Sequence, residues 1–268
     1  MNPSELIAFL NRIGAKPKKG LSQNFLISPQ VVEEIIKTAE VTAQDTVLEI
    51  GPGPGALTAA LLKKGAKVYA VEMDSLFAAE LERFQNGNLS VFEADFLKFP
   101  LGQLPANSKV VANLPYHITT PILEKLFSQS FSSITIMVQE EVADRMKADA
   151  GSKTFGSLSL FVQFYTKIHS SFKVPASCFY PKPNVDSTVI RLDSRPWPEV
   201  DPVLFFDLVH KAFQQRRKMI SSSLKEYPKQ KIKEALLAIH ANPDARPEDL
   251  SLDLWVLFVN RLKSTKTS

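Results

Sequence analysis

The stretch Thr46-Val47-Leu48-Glu49-Ile50-Gly51-Pro52-Gly53-Pro54-Gly55 decides the fold. Its first five residues read as a buried strand. The three glycines at alternate positions then let the backbone approach a ligand closely where a side chain would block it. Residues 56–63 follow at once with helical spacing. A strand, a glycine turn and a helix form the opening unit of a parallel sheet, and such sheets bind ligands at the carboxyl ends of their strands.

The alternation continues outward from this unit. Segments 67–71, 89–92, 109–112 and 133–138 read as strands, and 75–83 and 121–127 as helices between them. Upstream, Ser28 as N-cap and Pro29 at the first helical position start a helix over 29–36. Downstream, 157–165 has helical character, and 167–173 and 185–192 read as two closing strands. Strand and helix at this spacing predict an α/β fold, a Rossmann-like and mostly parallel sheet with helices on both faces. Arg195-Pro196-Trp197-Pro198 reads as a linker, and segments 204–213, 229–239 and 254–262 beyond it are helical in period with no convincing strand. Two domains are therefore expected: residues 1–194 and a small all-α domain over 195–268.

Bulk properties narrow the function. With 268 residues and 44% hydrophobic content, the chain can build a real core. Its single cysteine, Cys178, excludes an internal disulfide framework and a cysteine-based zinc site, and suits a reducing cytoplasm. The N-terminus lacks the pattern of a signal peptide and no later run approaches membrane-spanning length, so a cytoplasmic protein is expected. The net charge of +4 is unevenly spread: residues 195–268 hold 13 Lys and Arg against 9 acids, while 1–194 are balanced at 19 and 19. Residues 6–32 carry Arg12, Lys16, Lys18 and Lys19 and no acid. Two basic zones flanking a neutral middle suit a polyanion.

The strand ends supply the chemistry. Glu49, just ahead of Gly51, and a glycine spacing different from G-x-G-x-x-G suit a cofactor with a cationic methionine end better than a pyrophosphate. Glu72 closes the second strand about 20 residues on, where a carboxylate can accept from both ribose hydroxyls. Asp95 follows the third strand and can accept from an adenine amino group. Asn113 closes the fourth and opens Asn113-Leu114-Pro115-Tyr116. An exocyclic amine on a nucleobase is a poor nucleophile, because its lone pair is delocalised into the ring. The Asn113 side-chain oxygen and the Leu114 carbonyl can hold its two N–H groups, Pro115 keeps the turn rigid, and Tyr116 stacks on the base. Positioning and a water-poor pocket then carry the reaction, with no separate nucleophile or base. His117, His169, His210 and His240 show no ligand spacing, and no metal is expected.

Four polar strand ends in register with a glycine turn resemble S-adenosylmethionine-dependent methyltransferases. Further segments narrow the likeness: Gly20-Leu21-Ser22-Gln23-Asn24-Phe25-Leu26, the run from Val174 through Phe179, Tyr180 and Pro181 to Ser187, and Phe213-Gln214-Gln215-Arg216-Arg217-Lys218. With the Asn-Leu-Pro-Tyr turn they resemble the ribosomal RNA adenine N6,N6-dimethyltransferase family over nearly the whole chain. The resemblance implies S-adenosyl-L-methionine as cofactor and 16S rRNA in the immature small ribosomal subunit as partner. Two adjacent adenosines in its 3′-terminal hairpin loop would be dimethylated by a monomer. It further implies that Asn24 and Leu26 close over the cofactor and that Gly51 lies beneath it. Tyr116 and Phe179 would sandwich a flipped adenine, with Tyr180 as the competing ring. Lys18, Lys19, Arg216, Arg217 and Lys218 would contact phosphates. Two alternatives stand beside this: an RNA-binding assembly factor with secondary methylation, and an adenine methyltransferase acting on DNA or large-subunit RNA.

Overall fold

In a computed structural model that describes residues 3–17, 23–85 and 87–264, the described residues form nine strands. They are β1 (Phe25–Leu26), β2 (Thr46–Ile50), β3 (Lys67–Glu72), β4 (Leu89–Glu93), β5 (Lys109–Asn113), β6 (Ser133–Gln139), β7 (Thr166–Val174), β8 (Phe179–Tyr180) and β9 (Ser187–Ser194). Seven make one sheet in the order β4-β3-β2-β5-β6-β9-β7. The pairs β2·β3, β3·β4, β2·β5 and β5·β6 are parallel, and β9 runs antiparallel to β6. This is the expected mostly parallel sheet. Strand order reverses between β2 and β5, the place where an open α/β sheet binds its ligand. Pairing widens that crevice: β2 and β3 pair from Thr46↔Lys67 to Ile50↔Val71, whereas β2 and β5 pair only at Val47↔Lys109 and Leu48↔Val110.

The helices are α1 (Pro3–Arg12), α2 (Pro29–Thr38), α3 (Ala56–Lys63), α4 (Ser75–Glu80), α5 (Thr119–Leu126), α6 (Glu140–Lys147), α7 (Ser157–Tyr165), α8 (Pro202–Gln214), α9 (Ile220–Ser223), α10 (Lys229–Ala238) and α11 (Leu252–Ser264). Ser28 caps α2 as its sequence predicts, its Oγ accepting from the Val31 amide at 3.4 Å. The helix expected over 75–83 ends at Glu80 and tightens into a 3₁₀ turn, Leu81–Phe84. That turn brings Leu81 and Phe84 against Gly55, where an added Cβ would lie 2.5 Å from the Phe84 ring. Helices α1, α6 and α9 and the strands β1 and β8 have no counterpart in the sequence reading; the two strands have two residues each, too few to carry a measurable period.

By its internal contacts the chain divides into two units: Met1–Ala143 with Ile168–Ser194, and Asp144–Lys167 with Arg195–Ser268. Residues 144–167 therefore group differently from the sequence boundary at 194/195. The reason is packing: Phe155, Leu160 and Phe164 are buried in one cluster with Phe205, Trp255 and Phe258. A boundary drawn at a Pro-rich linker cannot register a segment that leaves one unit and returns to it. In the sheet unit, Val47, Leu61, Val68, Val111 and Val189 share one core, and Leu6, Phe9, Leu10, Phe25 and Phe77 form a second around α1.

Candidate active site

The glycine turn is shaped by its backbone. Gly51 follows β2 with φ +63°, and its amide donates to the Val71 carbonyl at 2.9 Å. A Cβ added at Gly51 would meet nothing within 4 Å. It would instead project into open space, and Gly51 lines two adjoining cavities. The larger opens at the β2/β5 switch and is walled by Asn24, Gly51, Glu72, Asp95, Asn113 and Tyr116, among others. Leu114 also lines it, with Val71, Phe96 and Ile122 as its apolar wall. Residues from four strand ends and the N-terminal segment thus meet in one cleft, as their positions in the sheet require.

Glu72 is 5% exposed and engaged at both oxygens. Oε2 accepts from the Gly53 amide and Oε1 from the Asp74 amide, each at 2.9 Å. Burial raises its pKa, and the two amides act against that rise. Besides facing the cleft, this carboxylate fastens the glycine turn to the end of β3. Asp95 is half-buried, and its Oδ1 caps the following 3₁₀ turn by accepting from the Leu97 amide at 2.9 Å. It is both a loop cap and a wall of the cleft.

Asn113 and Tyr116 are each tied to a distant segment. The Asn113 Nδ2 donates to the Asn24 carbonyl at 3.2 Å, fastening the N-terminal segment to the end of β5. The Tyr116 hydroxyl lies 2.8 Å from Ser187 Oγ at the start of β9, which fixes the ring. Burial raises the Tyr116 pKa, so the phenol keeps its proton at neutral pH. Leu114 is buried, and its amide donates to the Met137 carbonyl at 3.1 Å.

Glu49 is more deeply placed than its neighbours. It is 1% exposed; Oε2 accepts from Thr58 Oγ1 at 2.7 Å, and Oε1 is buried with no hydrogen-bond partner. Burial pushes its pKa up to about 8. Glu49 lines the second cavity, about 490 Å³, together with Leu6, Leu26, Gly51 and Asn113. Leu26 thus belongs to this cavity, whereas Asn24 lines the larger one.

One expectation needs correction. Phe179 is not on the cleft wall: it is 3% exposed and packs in the sheet core with Leu26 and Val174. The β1·β8 pairing, Leu26↔Phe179 and Phe25↔Tyr180, explains this, because neighbouring residues on a strand face opposite ways. Tyr180 packs with the cluster around α1 instead. In the basic run just beyond α8, Arg216 Nε lies 3.8 Å from Glu248, and its Nη2 donates to the Ser152 carbonyl at 3.1 Å. Arg217 and Lys218 are exposed. Lys18 and Lys19 lie outside the described residues. Among the described residues no three His, Cys, Asp or Glu side chains gather as a metal site requires, and no helix is long and apolar enough to cross a membrane.

Ser187 and Thr58 escaped the sequence reading, as did the second roles of Glu72 and Asn24. Only the Ser187 contact left a signal, in that the residue sits in the Pro-rich run already singled out.

A family model described as ribosomal RNA adenine dimethylase matches residues 14–264. The chain is 46% identical to ribosomal RNA small subunit methyltransferase A of Protochlamydia amoebophila, over 98% of each chain. It is 39% identical to the protein of that name from Chlamydia trachomatis, over 97% of each. Among solved structures, a dimethyladenosine transferase from Plasmodium falciparum matches with a TM-score of 0.76 at 25% identity, over 90% of this chain and 98% of the other. The 23S rRNA methyltransferase ErmE matches with a TM-score of 0.72 at 28% identity, over 90% and 100%.

Proposed function

The chain belongs to the ribosomal RNA adenine dimethylase family, and we propose that it converts two adjacent adenosines in the 3′-terminal hairpin loop of 16S rRNA to N6,N6-dimethyladenosine. It is an S-adenosyl-L-methionine-dependent rRNA methyltransferase. Its substrate is the immature small ribosomal subunit, on which it acts as a cytoplasmic monomer late in assembly. The observation that carries this reading is the meeting of Asn113, Leu114 and Tyr116 with Gly51, Glu72 and Asp95 in one cleft.

The residues present fit S-adenosylmethionine. A side chain at Gly51 would project into the space the cofactor needs. Glu49 Oε1, buried and unpartnered, suits a cationic ammonium group. Glu72 would take the ribose, Asp95 the adenine, and Asn24, Gly51 and Asn113 the remaining contacts. When bound, the cofactor supplies an electrophilic methyl group on a sulfonium.

The chain's own residues hold the nucleophile. With Nδ2 committed to the Asn24 carbonyl, the Asn113 amide directs Oδ1 toward the target amine. Oδ1 and the Leu114 carbonyl accept the two N6 hydrogens and so direct the nitrogen lone pair away from them. Tyr116, fixed through Ser187, stacks on the flipped base and keeps its own proton. The apolar wall excludes water, which strengthens each of these contacts. The methylated nitrogen sheds one proton to solvent, one N–H remains, and the amine turns or rebinds before the second transfer. Arg217 and Lys218 contact phosphates and add affinity without sequence information.

Methyl transfer to immature small subunits tests the reading. Asn113→Ala should reduce dimethyladenosine formation by roughly 100-fold, as expected for loss of an aligned polar group in a preorganised site. Undiminished formation would overturn the assignment.

A further inference from the structure

Arg83 takes no part in the chemistry described so far, yet it joins the glycine turn to helix α1. Its side chain is 29% exposed. Nη2 donates to the Pro54 carbonyl and Nη1 to the Glu80 carbonyl, each at 2.5 Å. Its guanidinium carbon lies 4.2 Å from the Phe84 ring centroid and 4.8 Å from that of Phe9, which belongs to α1. One turn along α1, Arg12 forms a two-pronged pair with Glu80 at 2.8 and 3.2 Å, and Glu80 also lies 3.6 Å from Arg83.

The attachment bears on the cofactor cleft from two sides. Pro54 stands between Gly53 and Gly55, both at positive φ, so its carbonyl reports and restrains the twist of the whole turn. On the other side, Leu6 of α1 and Phe25 line the second cavity beside Glu49 and Gly51. A planar guanidinium can contact two rings while its fork reaches two carbonyls; an ammonium cannot. Partial burial lowers the Arg83 pKa, and the Glu80 carboxylate acts against that fall.

We propose that Arg83 is a positioning residue for cofactor binding, coupling the seating of α1 to the shape of the glycine turn. The coupling rests on the assignment of the cleft to S-adenosylmethionine. Because such coupling is reciprocal, a seated α1 tightens cofactor binding and bound cofactor holds α1 in place.

Calorimetry with S-adenosylhomocysteine on the full chain tests this, using wild type, Arg83→Met, Phe9→Leu and the double variant. Arg83→Met should weaken binding about tenfold and Phe9→Leu about threefold, within the range of ordinary coupling energies. The double variant should be weakened by less than the product of the two single effects, because Phe9 and the Pro54 carbonyl share the Arg83 side chain. In steady state the KM for S-adenosylmethionine should rise while kcat and the KM for RNA stay unchanged. Bound S-adenosylhomocysteine should slow amide exchange in α1 of the wild type and not of Arg83→Met. Wild-type affinity in Arg83→Met, additive single effects, or α1 exchange indifferent to ligand would each overturn the coupling. If Arg83→Met does not fold, Arg83→Lys replaces it: several-fold weaker binding supports the proposal, and unchanged binding overturns it. Failure of the wild type to bind S-adenosylhomocysteine would instead overturn the cofactor assignment, and the coupling with it.

Discussion

The carboxyl edge of the sheet and the basic run just beyond α8 carry similar weight in the sequence, yet the fold treats them differently. At the sheet edge, Glu49, Glu72, Asp95 and Asn113 are each held by a hydrogen bond to the backbone or to a neighbouring side chain. In the basic run, Arg216 is held in the same way while Arg217 and Lys218 are exposed. A polar residue at a strand end inherits its place from the sheet, whereas a cation at a helix end inherits only a direction. The first kind of site should fail by losing geometry, the second by losing charge.

The largest effect should come from Glu72→Ala, which removes the ribose acceptor and also releases Gly53 and Asp74. Loss of charge-assisted hydrogen bonds worth roughly 1.5–3 kcal/mol each should lower S-adenosylhomocysteine affinity by about 100-fold or more in calorimetry. A loss of less than about tenfold would mean that the turn keeps its shape without this clamp.

Glu49→Gln should have the next largest effect and a distinct pH signature. Glu49 titrates near 4.5 when unfolded and near 8 in the folded, unliganded protein. Between those values the folded state binds more protons than the unfolded one, so this group lowers stability as pH rises through that window. Glu49→Gln should flatten the decline in Tm between pH 5 and pH 8, a window set by the same two values. A cationic ammonium beside the carboxyl would pull its pKa down, so wild type should release up to about one proton per bound S-adenosylhomocysteine near pH 7. The variant should release none from this site, and affinity should fall about tenfold for loss of one ionic contact. Equal proton release from both proteins would exclude Glu49 from the ammonium site.

Exposed cations should respond to salt instead. Arg217→Ala with Lys218→Ala should weaken RNA binding several-fold and make its dependence on salt shallower by roughly 0.7 log units per lost phosphate contact. S-adenosylhomocysteine binding should be untouched. An unchanged salt slope would remove these two residues from the RNA interface.

The same contrast explains what the sequence made legible. Gly51, Glu72, Asp95 and Asn113 could be placed together because strand spacing alone puts them on one edge. Contacts that depend on packing could not: Asn113 reaches Asn24 across 89 residues, and Tyr116 reaches Ser187 across 71. Phe179 was misplaced because a two-residue strand has no pattern to reveal which face it turns inward. Helix α1 and Arg83 went unnoticed since apolar periodicity over ten residues does not say what the helix covers. Glu49 was read as suited to the cofactor's cationic end, but its partner Thr58 lies within the first turn of α3, where no motif marks it.

Arg216→Ala should have the smallest effect, of a different kind from that of its neighbour. Arg216 joins the Ser152 carbonyl to Glu248, whose own carbonyl accepts from the Gly151 amide at 2.7 Å. An ion pair at 3.8 Å that makes no hydrogen bond adds little, so the hydrogen bond to Ser152 dominates, and stability should fall by about 1 kcal/mol. Tm should drop by a few degrees at this chain length. The RNA affinity of the folded protein and its salt slope should change less than with Arg217→Ala, because Arg216 would have to leave two partners to meet a phosphate. If Arg216→Ala instead shifted the salt slope and left Tm unchanged, Arg216 would exchange Ser152 and Glu248 for RNA on binding. The cation that looks most firmly built into the fold would then be part of the RNA grip.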